Sequence, residues 1–132
     1  MQMIFVNLPV SDVQRARKFY TGLGFAINEQ YSNEQAACVV ISDSIFVMVL
    51  HRDFFATFTD KPISDAHRQT EVLLCLSTTS REATDALVAK AIASGGSAPR
   101  PAKDHGFMYQ HGFEDPDGHI WELAFMQAPV TA

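Results

Sequence analysis

The order of hydrophobic and polar positions divides the chain into two passages of similar rhythm. Residues 3–10, MIFVNLPV, are dense in strand formers and carry Pro9 near their end, so they predict a strand that finishes at an edge or a turn. In VQRARKFYTGLG the apolar residues Val13, Ala16, Phe19, Tyr20 and Leu23 recur at intervals of three and four, with Gln14, Arg15, Arg17 and Lys18 on the other side. That spacing predicts an amphipathic helix, capped by Ser11 or Asp12 and ended at Gly22 or Gly24. Three strand candidates follow, FAINEQY, AACVVIS and IFVMVLH, separated by the turns Ser32-Asn33-Glu34 and Asp43-Ser44.

A long link then runs from Arg52 to Gln69, in which DFFATF predicts one short helix with Phe54, Phe55 and Phe58 on a common side. These rings suit either a lid or a hydrophobic anchor for a second subunit. Beyond the link the rhythm returns. EVLLCLS predicts a strand, and Ser80 caps SREATDALVAKAIASGG, a helix with Ala83, Leu87 and Ala91 in its apolar stripe and Gly95-Gly96 at its end. FMYQHGFE and HIWELAFM predict two strands joined by DPDG. Strand, helix and two or three strands are thus written twice. The expected organisation is one domain over residues 1–132, with a first module at about 1–51, a link at 52–69 and a second module at about 70–127. A helix that covers one face of each sheet leaves the other face free. The expected fold is therefore α+β, two such halves side by side forming a curved mixed sheet with helices outside and a concave ligand cleft.

Composition narrows the choice of partner. With 47% hydrophobic and 19% charged residues the chain is a folded globular protein. A formal charge of -5 supplies no basic footprint for nucleic acid or for an anionic membrane surface. No apolar run approaches the roughly 18 residues of a membrane span, and MQMIFVNLPVSD lacks the features of a signal peptide, so a cytoplasmic location is expected. Cys38 and Cys75 lie in apolar strand-like runs, which suits reduced thiols.

One residue interrupts the pattern. Glu122 is a carboxylate inside HIWELAFM, sharing a strand face with Ile120 and Ala124, while the bulkier Trp121, Leu123 and Phe125 share the face that packs under a helix. Glu122 is thereby placed in the cleft. A four-residue DPDG turn sets it opposite His111, with Tyr109 and Phe107 further along the same face. Asp115, Asp117 and Gly118 themselves fit turn chemistry. His111 suits either a core histidine or a ligand, and His105, in the Gly-flanked DHG, either an exposed loop residue or one that bends over the cleft. Glu71, at the start of its strand, is either solvated or a partner for Glu122. Two nearby carboxylates would push their pKa values apart, one serving as base and the other as acid.

DVQRARKFYTGLGF after a first strand, together with the late EDPDGHIWEL, resembles the vicinal oxygen chelate superfamily of glyoxalase I, extradiol dioxygenases and fosfomycin- and bleomycin-resistance proteins. The resemblance spans essentially the whole chain, and it implies paired βαβββ modules and a homodimer. It also implies four metal-ligand positions on the cleft strands, which fall on Phe5, Val49, Glu71 and Glu122, with Asn7 two places beyond Phe5. Phe5 and Val49 cannot bind a cation, so half of the ligand set survives. On this basis Glu122 and Glu71 are the expected catalytic pair, joined by His111 as candidate ligands of one divalent ion, Mn, Fe, Ni or Zn, if any is held. Phe5, Asn7, Val49, Phe107, Tyr109, His111 and His105 are the expected substrate contacts. The resemblance implies a glyoxalase- or dioxygenase-like protein acting on a small oxygenated molecule by lyase or isomerase chemistry, though not a classical lactoylglutathione lyase. The alternative is a metal-free binder of the bleomycin-resistance type.

Overall fold

The computed structural model describes residues 1–128, which form two compact units, Met1–Asp65 and a second beginning at Ala66. The first contains β1 (Ile4–Val10), α1 (Val13–Gly22), β2 (Ala26–Asn28), β3 (Ala36–Val40) and β4 (Ile45–His51). The short helix α2 (Arg52–Phe55) follows. The second unit contains β5 (Leu73–Ser77), α3 (Arg81–Ala93), β6 (Lys103–Asp104), β7 (Met108–Glu114) and β8 (Ile120–Met126). Each unit is a βαβββ arrangement around a four-stranded mixed sheet, ordered β1-β4-β3-β2 in one and β5-β8-β7-β6 in the other. The first strand of each runs parallel to the last, and the remaining pairs are antiparallel. The fold is α+β. Among the described residues, no helix is long and apolar enough to cross a membrane.

Local chemistry accounts for the elements. Asp12 accepts a hydrogen bond from the Arg15 N–H at 3.0 Å and opens α1, whose Val13, Ala16, Phe19 and Tyr20 are buried as the spacing predicts. Phe19 and Tyr20 are fully buried and meet edge to face at 4.9 Å, an arrangement that favours the ring quadrupoles. In the link, α2 runs into a 3₁₀ turn at Ala56–Phe58, and the rings of Phe54 and Phe58 meet edge to face at 5.2 Å.

Three elements depart from the pattern. The second strand stops at Asn28, because the Asn28 Oδ1 accepts from the Gln30 N–H at 3.0 Å and folds Glu29–Tyr31 into a 3₁₀ turn. β5 begins at Leu73, which leaves Glu71 exposed ahead of the strand. In α3 the most buried residues are Thr84, Val88 and Ala91, so the buried stripe is turned by one position from Ala83 and Leu87. The Thr84 hydroxyl is satisfied inside, donating to the Ser80 carbonyl at 2.9 Å and standing 2.7 Å from the Thr78 hydroxyl. Thr84 thus becomes a core residue once its partners exist.

In the first sheet, Val49 is fully buried in register with Leu8 and Ala37, against α1 rather than on the free face where it was expected. The parallel register pairs Phe5 with Phe46 and Asn7 with Met48, so Met48, not Val49, is the β4 neighbour of Asn7. Phe5 is 48% exposed and stacks on Phe46 at 4.8 Å.

Candidate functional site

The β7–β8 hairpin decides what surrounds Glu122. Its loop is longer than DPDG, because Asp115 Oδ1 accepts from the Asp117 N–H at 3.0 Å and from the His119 N–H at 2.9 Å. The Asp115 N–H in turn donates to the His119 carbonyl at 3.0 Å, and Gly118 takes φ +89°. His119 therefore belongs to the loop, and the strands pair Glu114 with Ile120, Gly112 with Glu122 and His111 with Leu123. The expected pairing of Glu122 with His111 is wrong by one residue, and in a strand one residue exchanges the faces.

His111 and Tyr109 accordingly belong to the face covered by α3. The Tyr109 hydroxyl donates to Asp85 Oδ1 at 2.7 Å, with the Arg81 guanidinium 4.6 Å from the ring centre. That hydrogen bond to Asp85 is the main reason the Tyr109 hydroxyl holds its proton above the usual phenol range. His111 Nδ1 is buried without a hydrogen-bond partner, 3.6 Å from Asp85 Oδ1. Phe107 lies in the bend ahead of β7, 61% exposed, with its carbonyl accepting from the Gln127 N–H at 2.8 Å.

On the opposite face Glu122 stands between Gly112 of β7 and Cys75 of β5. Gly112 is what admits the carboxylate. A Cβ added there would lie 2.8 Å from the Trp121 carbonyl oxygen and 3.1 Å from Glu122 Oε2. Gln110, two residues away on the same face, donates from Nε2 to Glu122 Oε2 at 3.2 Å, and its Oε1 lies 3.2 Å from His105 Nε2. Residues 105, 110 and 122 thus form one hydrogen-bonded chain in which a neutral amide links the histidine to the carboxylate. Gln110 was not anticipated. A five-residue loop would have placed it on the Glu122 face by strand alternation alone.

Gln110, Gly112 and Glu122 border a hollow of about 220 Å³. Leu73, Ile120, Gln110 and Glu122 contribute to it from the sheet, and Pro99, Arg100, Pro101 and Lys103 from the segment leading into and through β6. Glu114 and His111 also border it.

Cys75, not Glu71, occupies the register position beside Glu122, and Glu71 lies exposed at a bend ahead of the strand. The donors expected for a metal therefore do not come together. His111 and Glu122 project from opposite faces, Glu71 precedes its strand, Phe5 packs on Phe46, and Val49 is buried. Among the described residues, no three His, Cys, Asp or Glu side chains are grouped to hold an ion, so the residues present do not fit the metal that the resemblance implies.

Cys75 gives a chemical readout of this geometry. It is exposed on an edge strand, yet crowding around its sulfur and, second to that, the Glu122 charge push its pKa above the ordinary thiol value. Its contribution to stability is complete below the ordinary thiol range and is lost as pH rises through the raised value. Alkylation at pH 8 should be slow, and Glu122→Gln should accelerate it by less than tenfold, since crowding remains. Iodoacetamide labelling with Cys75→Ser as blank measures this. An unchanged rate in Glu122→Gln would mean that the carboxylate does not act on the thiol.

Residues 2–42 match the family described as bleomycin resistance protein-like N-terminal. No curated protein matches the chain. Among solved structures it is similar to a hypothetical protein from S. aureus, at 25% identity and TM-score 0.81, covering 95% of this chain and 94% of that one. It is also similar to a glyoxalase-related enzyme from Fulvimarina pelagi, at 22% identity and TM-score 0.83, covering 100% and 94% of the respective chains. A glyoxalase/bleomycin resistance protein/dioxygenase family enzyme from Burkholderia phytofirmans PsJN superposes with TM-score 0.78 at 19% identity, over 96% and 99%. With two βαβββ units, a bleomycin-resistance-like N-terminal segment and these neighbours, the chain has the fold of the vicinal oxygen chelate superfamily.

Proposed function

We infer that the protein is a small-molecule binder of the bleomycin-resistance type, and that its ligand enters the hollow on the open face of the second sheet. The observation that carries this is a part-buried carboxylate, Glu122, laid across Gly112 and held by the amide of Gln110, in a hollow where Leu73, Ile120, Pro99 and Pro101 set apolar surface beside a few polar groups. Such a site offers a few oriented polar groups against apolar surface, as ligand pockets do. The scheme of paired acid and base needs Glu71 beside Glu122, and Cys75 stands there instead. The family likeness of residues 2–42 points the same way. A cytoplasmic homodimer belongs to the same proposal, with Phe58, 69% exposed and edge-on to Phe54, as the candidate contact between copies.

Leu73→Trp tests the site. Leu73 is 56% exposed and lines the hollow, so a larger ring there should fill it without disturbing the core. Fragments that bind the wild type in ligand-observed NMR should lose at least tenfold in affinity to the variant at an unchanged unfolding midpoint. Equal binding to both proteins would move the site elsewhere.

A further inference from the structure

Four charged side chains border the hollow, and none of them neutralises another. Glu114 and Glu122 come from β7 and β8, and their register with Ile120 and Gly112 puts both on the open face. Arg100 and Lys103 come from the segment at its rim. Among the described residues, the side chains of Arg100, Lys103 and Glu114 make no hydrogen bond or ion pair, and that of Glu122 meets only the uncharged Gln110. Elsewhere the chain does pair such groups, Arg17 with Glu29 and Arg81 with Asp104.

The rim is also stiffened. Arg100 lies at a bend between Pro99 and Pro101, whose ring-locked φ values restrict the backbone on either side of it. A backbone restricted in this way loses less freedom when a ligand arrives. The hollow is smaller than the about 300–1,000 Å³ of drug-sized sites.

Building on the proposed binding role of this hollow, we propose that its ligand is a small dipolar molecule carrying an ammonium and a carboxylate. The ammonium faces Glu122 and Glu114, and the carboxylate faces Arg100 and Lys103. A ligand with one charge would cover the opposite pair of protein charges without replacing the water they lose, which is what disfavours it.

The test is calorimetric titration of the full chain with glycine, β-alanine, γ-aminobutyrate and 6-aminohexanoate, set against hexylamine, hexanoate and hexanol. At least one amino acid should bind ten times more tightly than each of the three controls. Glu122→Gln and Arg100→Ala should each weaken it about tenfold, and added salt should weaken it in the wild type. Hexylamine, hexanoate or hexanol binding as tightly as the best amino acid overturns the dipolar class and leaves the hollow a ligand site. Silence from all seven compounds, while NMR fragments are still blocked by Leu73→Trp, overturns it in the same way. If those fragments also ignore Leu73→Trp, the binding role falls with it.

Discussion

Gly118→Ala should lower the stability of the protein by about 2–4 kcal/mol, the largest loss expected from removing so little freedom. Two effects add. Gly118 has φ +89°, a backbone conformation that costs an L side chain roughly 1–2 kcal/mol, and an added Cβ would lie 2.8 Å from both the Ala66 carbonyl carbon and the His67 nitrogen. Those neighbours are backbone, so relief requires the loop and the start of the second unit to shift together. Gly24→Ala separates the terms. Gly24 has φ +102° with nothing within 4 Å of an added Cβ, so its cost of about 1 kcal/mol is conformational alone. Urea denaturation of the two variants would measure the difference. Equal losses would show that the contact at Gly118 relaxes freely.

Gly112→Ala should destabilise by about 1–3 kcal/mol and, in addition, abolish binding in the hollow. The added methyl would lie 2.8 Å from the Trp121 carbonyl, which is part of the β7–β8 ladder, and 3.1 Å from the Glu122 carboxylate, which has to give by a few tenths of an ångström. Such a shift weakens the bond from Gln110 and changes the position of the charge beside Cys75. The variant should therefore alkylate faster at Cys75 than the wild type under conditions where both are folded, and should no longer bind the fragments that Leu73→Trp excludes. Retained fragment affinity at a lowered midpoint would limit Gly112 to a packing role and leave Glu122 free of it.

Much of the architecture was legible in residue order. The stripe Val13, Ala16, Phe19, Tyr20 required a helix against a sheet, and the recurrence of strand, helix and strands after residue 70 required a second copy of the same arrangement. The placement of Glu122 on the face opposite Trp121 and Leu123 followed from alternation and bulk, and the structure has those two residues buried. Its neighbours were less legible. A single residue, His119, drawn into the turn by the Asp115 carboxylate, replaced His111 with Gly112 opposite Glu122 and sent Tyr109 and His111 to the side of α3.

Local sequence determined periodicity, and with it the helices, the strand faces and the choice of Glu122 as the carboxylate turned outward, because these depend on spacing within one element. Tertiary structure decided which side chains stand beside it. Cross-strand neighbours depend on register, and register is set by hydrogen bonds in a loop and by which strands pair, as β5 with β8 brings Cys75 rather than Glu71 to Glu122. The hollow, the Gln110 contact and the unpaired charges around it exist only after that pairing is made.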